Sequence, residues 1–238
     1  MDTWQIIDDA DDPDTGASFT RDEEILADVR ADRQPATMRI WRTGPCIAAT
    51  AQEAARPGFA RGARELAARG WPVLLRRSGG SAVPLTRGIL NLSLIYAIEA
   101  FADASLATAY SILCRPLLET LRDCGIEASI GPVGGSFCDG RYNLVVNGRK
   151  IAGTAQRWSA GRNGGRLILS QGMLIIDGSS LSPGIAAINR LYETLALPQR
   201  VDAACCVGVD QLQHEALGAA NESLIAAVRE RLLARCRP

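Results

Sequence analysis

One lysine stands in the whole chain: of 26 basic residues, 25 are arginine and the last is Lys150. A compact ammonium can do two things that a planar guanidinium does not, namely aim a point charge at a single oxygen and give up its proton when desolvated. Lys150 lies in the stretch CDGRYNLVVNGRKIAGTAQRW, residues 138 to 158, just past an Asn147-Gly148 pair and ahead of Ala152, Gly153, Thr154 and Ala155. Small residues on a strand let a ligand lie close to the backbone. Cys138 precedes Lys150 by twelve residues. A thiol near Lys150 and Arg141 is a candidate nucleophile, because neighbouring cations favour the thiolate. The other candidate segment is LLRRSGGSAVPL, residues 74 to 85. There a strand runs into Gly79 and Gly80, whose backbone N–H groups can cradle an anion while Arg76 and Arg77 supply charge. Taken singly, each segment also reads as something plain: a surface hairpin with a solvated lysine, and a glycine turn with two surface arginines.

The elements that must position these residues read as one α+β domain. The 238 residues are 47% hydrophobic and 22% charged, which excludes disorder and a small disulfide scaffold. Lys+Arg and Asp+Glu are both 26, so no field of one sign gathers nucleic acid or an anionic membrane. Neither a secretory leader nor a bilayer-length apolar run is visible, and the expected location is cytoplasmic. The seven cysteines are odd in number and scattered without a CxxC, and His214 is the only histidine, so no zinc-ligand spacing exists. Residues 1 to 19, acidic and turn-rich, read as a loose lead-in, and Thr20 with Glu23 has the spacing of a capping box. Strands are expected at 38–41, 46–50, 72–75 and 88–97, with helices at 59–69 and 105–123, the latter kinked or broken by Pro116. From Glu127 to Asp177 a meander is expected, with a hairpin turn at Asn147-Gly148, followed by helices at 185–195 and 222–236. Helices before and after a continuous block of strands, without regular βαβ alternation, argue for an α+β domain more than a doubly wound sheet.

Together, TMRIWRTGPCIAAT, the RRSGGSAV loop and GRYNLVVNGRKIAGTAQR resemble the catalytic domain of the lipoate-protein ligase and octanoyltransferase family, over about Thr20 to Asp177 and more loosely beyond. The resemblance implies a single-domain mixed sheet flanked by helices, biotin/lipoate ligase-like, over residues 20 to 238, without the large C-terminal accessory domain of long ligases. It also implies that Arg76, Arg77, Gly79, Gly80, Ser81, Ala82 and Val83 line the acyl group and nucleotide, together with Asn143, Gly153, Thr154 and Ala155. Lys150 would be the catalytic contact on the acyl carboxylate or carbonyl.

The implied reaction joins lipoate or octanoate to a lysine of a lipoyl-type carrier domain through acyl-AMP, with ATP and Mg²⁺. Lys150 and the ion would there offset repulsion between carboxylate and phosphate. An apolar slot is needed for the eight-carbon tail, whose roughly seven methylenes are worth about 0.8 kcal/mol each. Val83, Leu90, Leu92 and Ile151 are candidates for it. An ATP-independent alternative takes octanoate from an acyl carrier protein onto Cys138, and a third is a relative that binds lipoyl domains without modifying them. Two departures stand out: the family loop commonly continues to a His-Asp pair where this chain has Leu85-Thr86, and its later histidine-glycine step is here Gln171-Gly172.

Overall fold

The computed structural model describes residues 4–10, 15–99, 105–213 and 221–236. In chain order the first half comprises β1 (Gln5–Asp9), α1 (Thr15–Arg30), β2 (Thr37–Trp41), β3 (Cys46–Thr50), α2 (Ala51–Ala54), α3 (Phe59–Ala67), β4 (Val73–Arg76), β5 (Val83–Leu85) and β6 (Ile89–Ile98). The second half comprises α4 (Leu106–Asp123), β7 (Ser129–Gly131), β8 (Asn143–Val146), β9 (Arg149–Ala160), β10 (Arg166–Ile175), α5 (Leu181–Thr194), α6 (Val209–Leu212) and α7 (Asn221–Cys236). Seven strands form the main sheet in the order β1-β2-β6-β10-β9-β8-β7, and three form a small sheet in the order β4-β3-β5. Pairing is antiparallel in both sheets except for β1 with β2 and β3 with β4. This is the mixed sheet with flanking helices that the sequence implied.

β6, with the sequence ILNLSLIYAI, shows how the layers are sorted. Side chains alternate across a strand. Leu90, Leu92, Leu94 and Tyr96 therefore fall on one face, in a core completed by Leu113 and Leu117 of α4 and by Val228 and Leu232 of α7. Asn91, Ser93 and Ile95 fall on the other. On that face the register runs in rows across four strands: Trp41, Asn91, Met173 and Gly153 in one, and Arg39, Ser93, Gln171 and Ala155 in the next. The small sheet and α5 cover part of this second face with Ala48, Val83, Leu85, Ile185 and Ile188. Ile25, Leu26 and Val29 of α1 cover Ile95, Leu167 and Leu169. A slot is left between the two coverings.

Local signals explain most boundaries. Ser105 caps α4 by accepting from Thr108 N–H at 3.1 Å, and Gly125 closes it at φ 75° with Ile126 N–H bonded to the Leu121 carbonyl. The β8–β9 turn has Asn147 at φ 48° and Gly148 at φ 74°, as a two-residue hairpin of this twist requires. α4 runs through Pro116 as one helix, so of the expected kink or break the break does not occur, and the Thr120 hydroxyl donates to the Pro116 carbonyl at 2.7 Å.

The N-terminal expectation fails. Residues 5–9 are not a loose lead-in but a strand paired with β2, and α1 starts at Thr15, so Thr20 lies inside the helix with its hydroxyl donating to the Ala17 carbonyl at 3.0 Å. The acids that made this segment look solvated have counter-ions elsewhere: Asp9 holds Arg39, Asp8 holds Arg229, and Glu23, taken for a cap, holds Arg157. α5 likewise starts at Leu181, four residues before the expected Ile185. His214 lies outside the described residues. No helix among the described residues is long and apolar enough to cross a membrane.

Candidate active site

The slot has a volume of about 190 Å³. Its floor is the main sheet, with Gly153 and Ala155 of β9 beside Gly172 and Met173 of β10; Val83 and Leu85 of β5 and Leu75 of β4 form a wall, and Phe19 of α1 closes a side with Trp41. Phe19 and Trp41 meet edge to face with ring centroids 5.7 Å apart. A more open cavity of about 830 Å³ lies beyond the arginine-glycine loop. Cys138 lines both spaces. A group bound to its sulfur can therefore lie in the slot while a second reactant approaches from the open side.

The Cys138 backbone has φ 45°, a left-handed conformation that non-glycine residues seldom adopt. Its Sγ accepts two hydrogen bonds at 3.4 Å each, from Ser81 N–H and from Nη2 of Arg76. Both donors favour a sulfur that carries negative charge. Gly80 makes this approach possible: it has φ 104°, and a Cβ there would collide with Cys138 Sγ and stand 2.7 Å from Arg76 Nη2. Arg76 is further fixed by Ser81 O at 2.7 Å and the Ser78 hydroxyl at 3.1 Å.

Lys150 is fully buried. Its Nζ donates to the carbonyls of Phe137 at 2.7 Å and Cys138 at 3.3 Å, and stands 4.3 Å from the centroid of the Phe137 ring. The ammonium thus grips the backbone turn that carries the thiol. No carboxylate pairs with it among the described residues, and burial pulls its pKa from 10.5 down to about 8. A Cβ on Gly153 would stand 3.0 Å from Lys150 Cε, so the glycine gives the lysine its room. Cys206 also lies beside Lys150, bridged to it through the backbone, but burial pushes that thiol up to about 11.

The residues expected to bind ligand divide into two sets. Arg76, Val83, Gly153, Thr154 and Ala155 line the slot, and Arg77 lines it with an exposed side chain 3.9 Å from Glu23. Gly80 and Ser81 face the open cavity. Gly79, Ala82 and Asn143 line neither space. A Cβ on Gly79 would meet nothing within 4 Å; Ala82 spends its N–H on Glu53 at 2.8 Å; and Asn143 is buried with its amide on Asp139 at 3.3 Å. Leu90, Leu92 and Ile151, suggested for the acyl tail, belong to the core on the opposite face of the sheet.

Sequence reasoning missed the polar row. Asp22 of α1 accepts from Arg39 at 2.9 Å, from Ser93 at 2.6 Å and from Gln171 at 2.9 Å, and Trp41 Nε1 donates to Ser93 at 2.9 Å. Asp22, Ser93, Trp41 and Gln171 all line the slot. The available signal was the pair Asn91 and Ser93, two apart in an apolar strand and hence on one face.

The chain is similar in sequence and in fold to several known proteins. Residues 14–217 match the model of the lipoyl protein ligase A/B catalytic domain. The chain is 37% identical over 202 residues to an octanoyl-[GcvH]:protein N-octanoyltransferase of Kyrpidia tusciae, covering 80% of this chain and 67% of that one. It is 30% identical over 181 residues to a lipoyl-[GcvH]:protein N-lipoyltransferase of Listeria monocytogenes, covering 75% of this chain and 63% of that one. Its fold is similar to that of a lipoate-protein ligase A crystallised with ATP, with a TM-score of 0.68 at 16% identity over 98% of this chain and 83% of the other. On the match of the family model and of these relatives, the chain belongs to the lipoyl protein ligase A/B catalytic-domain family.

Proposed function

We propose that this chain is an acyltransferase that moves an octanoyl or lipoyl group onto a lysine of a lipoyl-type carrier domain, with Cys138 as the nucleophile. The observation that carries this reading is the placement of Cys138 Sγ under Ser81 N–H and Arg76 at the junction of slot and open cavity. The relatives from Kyrpidia tusciae and Listeria monocytogenes, named for transfer from GcvH to another protein, support it.

The chemistry balances without an external energy source. The Cys138 thiol gives up its proton, and the sulfur attacks the carbonyl carbon of an acyl-lysine amide on the donor domain. The new C–S bond forms, the donor C–N bond breaks, and the departing amine leaves with one proton more than it carried in the amide. The acyl tail then occupies the slot as a Cys138 thioester. A neutral lysine amine of the acceptor enters from the open cavity, the C–N bond forms and the C–S bond breaks, and the amine's surplus proton returns to the thiol. Ser81 N–H and Arg76 hold the sulfur when it carries charge, at the start and again as leaving group. Lys150 holds the Cys138 turn and places positive charge beside the reacting carbonyl. An acyl carrier protein thioester is an equivalent donor, with a thiol departing in place of the amine.

The adenylate route draws on the same Arg76, Ser81 and Lys150, which present N–H donors suited to phosphate. A protein-held divalent cation fits less well. Among the described residues no three His, Cys, Asp or Glu side chains cluster, and Asp139 already spends Oδ1 on Val133 N–H at 2.6 Å and on Asn143.

The test is intact-mass measurement after mixing the protein with an octanoylated lipoyl domain, without nucleotide. A species heavier by one octanoyl group, labile to hydroxylamine, discharged by a second unmodified lipoyl domain and absent in Cys138→Ser, is the expected result. Transfer only on addition of ATP and free octanoate would replace this reading with the adenylate route. Binding with no transfer under either condition would leave the non-catalytic relative.

A further inference from the structure

Arg76 reaches Cys138 from an insecure base. It sits at the end of β4 in the small sheet, and the chain then enters a loop in which Arg77 and Gly79 are exposed and Gly80 adds backbone freedom. Ser78 is the exception: it is buried, and its hydroxyl both accepts from Arg76 Nη1 at 3.1 Å and donates to Gln171 Oε1 at 2.9 Å. Gln171 is in the middle of β10, hydrogen-bonded on both sides to β6 and β9, and is among the best-anchored positions of the main sheet. Its amide nitrogen donates to Asp22 at 2.9 Å.

The direction of these bonds is fixed. A carboxylate can only accept, so Asp22 turns the Gln171 NH₂ group toward itself and the oxygen toward Ser78. That oxygen can only accept, so it takes the Ser78 proton. The Ser78 lone pairs then face Arg76, whose other nitrogen, Nη2, donates to Cys138 Sγ at 3.4 Å. Arg39, fully buried, donates to the other oxygen of Asp22 and so fixes the carboxylate's orientation.

We infer that Gln171, oriented by Asp22 and acting through Ser78, is a positioning residue that sets the reactivity of Cys138 by locking Arg76 against its sulfur. The inference rests on the acyl-transfer reading for its biological use but not for its test. A histidine at position 171 has one ring nitrogen to donate to Asp22 and one to accept from Ser78, so it can pass the same orientation along. A methionine of similar shape can do neither.

The experiment is the pH dependence of iodoacetamide alkylation at Cys138, followed by peptide mass spectrometry in the full chain, for the wild type, Gln171→Met, Ser78→Ala and Gln171→His. At pH 7 Gln171→Met and Ser78→Ala are expected to alkylate about fivefold more slowly than the wild type, because the sulfur has lost part of a charge-assisted hydrogen bond. The rates should draw together as the pH rises to 10, and Gln171→His should regain most of the alkylation rate that Gln171→Met loses. The rate of octanoyl transfer should fall in the same order, with the KM for the acceptor domain unchanged. Wild-type profiles in both Gln171→Met and Ser78→Ala would overturn the inference. So would a slowing that persists undiminished at pH 10, since that reports access or folding. If the alkylation pattern appears but the wild type never becomes acylated, the acyl-transfer reading fails and the positioning chain stands.

Discussion

Two cations lie fully buried in the main sheet, Arg39 on β2 and Lys150 on β9, with β6 and β10 between them. Arg39 brings its counter-ions with it: Asp9 accepts from Nε at 2.7 Å and Asp22 from Nη1 at 2.9 Å. Among the described residues the direct partners of Lys150 are neutral dipoles, the carbonyls of Phe137 and Cys138 and the face of the Phe137 ring, with the charge of Asp139 acting on it without a hydrogen bond. A guanidinium between two carboxylates serves to hold α1 and β1 on the sheet. An ammonium buried without a carboxylate is held less firmly as a cation, and the protein tolerates that cost next to the thiol. A buried charge that is fully paired reads as architecture, and one left to dipoles beside a nucleophile reads as chemistry.

Exchange of each cation for an apolar residue separates the two roles. Arg39→Met leaves Asp9 and Asp22 without their partner and should cost about 3 to 5 kcal/mol of stability, as removal of one side of a buried ion pair does. Urea unfolding would show it as a lowered midpoint at an unchanged slope. Lys150→Met removes a charge that burial disfavours, so its unfolding midpoint should stay within error of the wild type or rise. The loss appears instead in transfer. With neither the grip on the Cys138 turn nor the positive charge beside the carbonyl, single-turnover acylation of Cys138 should fall by about a hundredfold, near the cost of losing one oxyanion donor. A Lys150→Met protein that acylates at the wild-type rate would collapse the distinction, as would an Arg39→Met protein of undiminished stability.

The same contrast explains what was readable from the sequence. The hairpin from Cys138 to Trp158 was readable because its determinants are local: a small-residue strand, a turn that needs Asn-Gly, and a solitary lysine. The N-terminal segment was not, because what orders it is distant. β1 and the first turn of α1 depend on Arg39, Arg229 and Trp41, and nothing within residues 5 to 20 announces those partners. Of the four residues expected for the acyl tail, Val83 lines the slot and Leu90, Leu92 and Ile151 lie on the other face, for a related reason. Leu90 and Leu92 pack into the core with α4 and α7, but the slot lies on the side of β6 that bears Asn91 and Ser93. In a strand whose both faces are covered, hydrophobicity marks the drier layer, and the cavity lies where the polar residues are. Ala82 and Asn143 were assigned to ligand by resemblance, yet they hold Glu53 and Asp139, a distinction that depends on which atoms are already hydrogen-bonded.

A smaller effect sharpens the comparison at the loop. Gly79 and Gly80 are adjacent, but only Gly80 has a positive φ and a Cβ path blocked by Cys138 and Arg76. Gly80→Ala should cost about 1 to 2 kcal/mol through strain at a left-handed position. It should also slow Cys138 alkylation, because the sulfur and guanidinium must back away. Gly79→Ala, with open space around it, should stay within about 0.5 kcal/mol of the wild type and alkylate normally. Equal behaviour of the two variants would mean that the loop adapts freely and does not hold the thiol.

The mildest perturbation is pH, and it acts through Lys150. The Lys150 pKa of about 8 has burial as its main cause, opposed by the charges of Cys138, Cys206 and Asp139 and reinforced by Arg76. Below about 8 the ammonium is intact, and above it the charge is lost. The rate of Cys138 acylation should therefore pass through half its plateau near pH 8 and fall further as the pH rises, while Lys150→Met lacks that alkaline limb. Stability should move the other way. Between about 8 and the ordinary 10.5 the unfolded chain holds a proton on this lysine that the folded chain has released, so the contribution of Lys150 to stability rises with pH across that window. Opposite slopes of activity and stability, both flattened in Lys150→Met and both retained in Gly79→Ala, are the signature of one buried amine; an alkaline limb that survives Lys150→Met assigns the titration to another group.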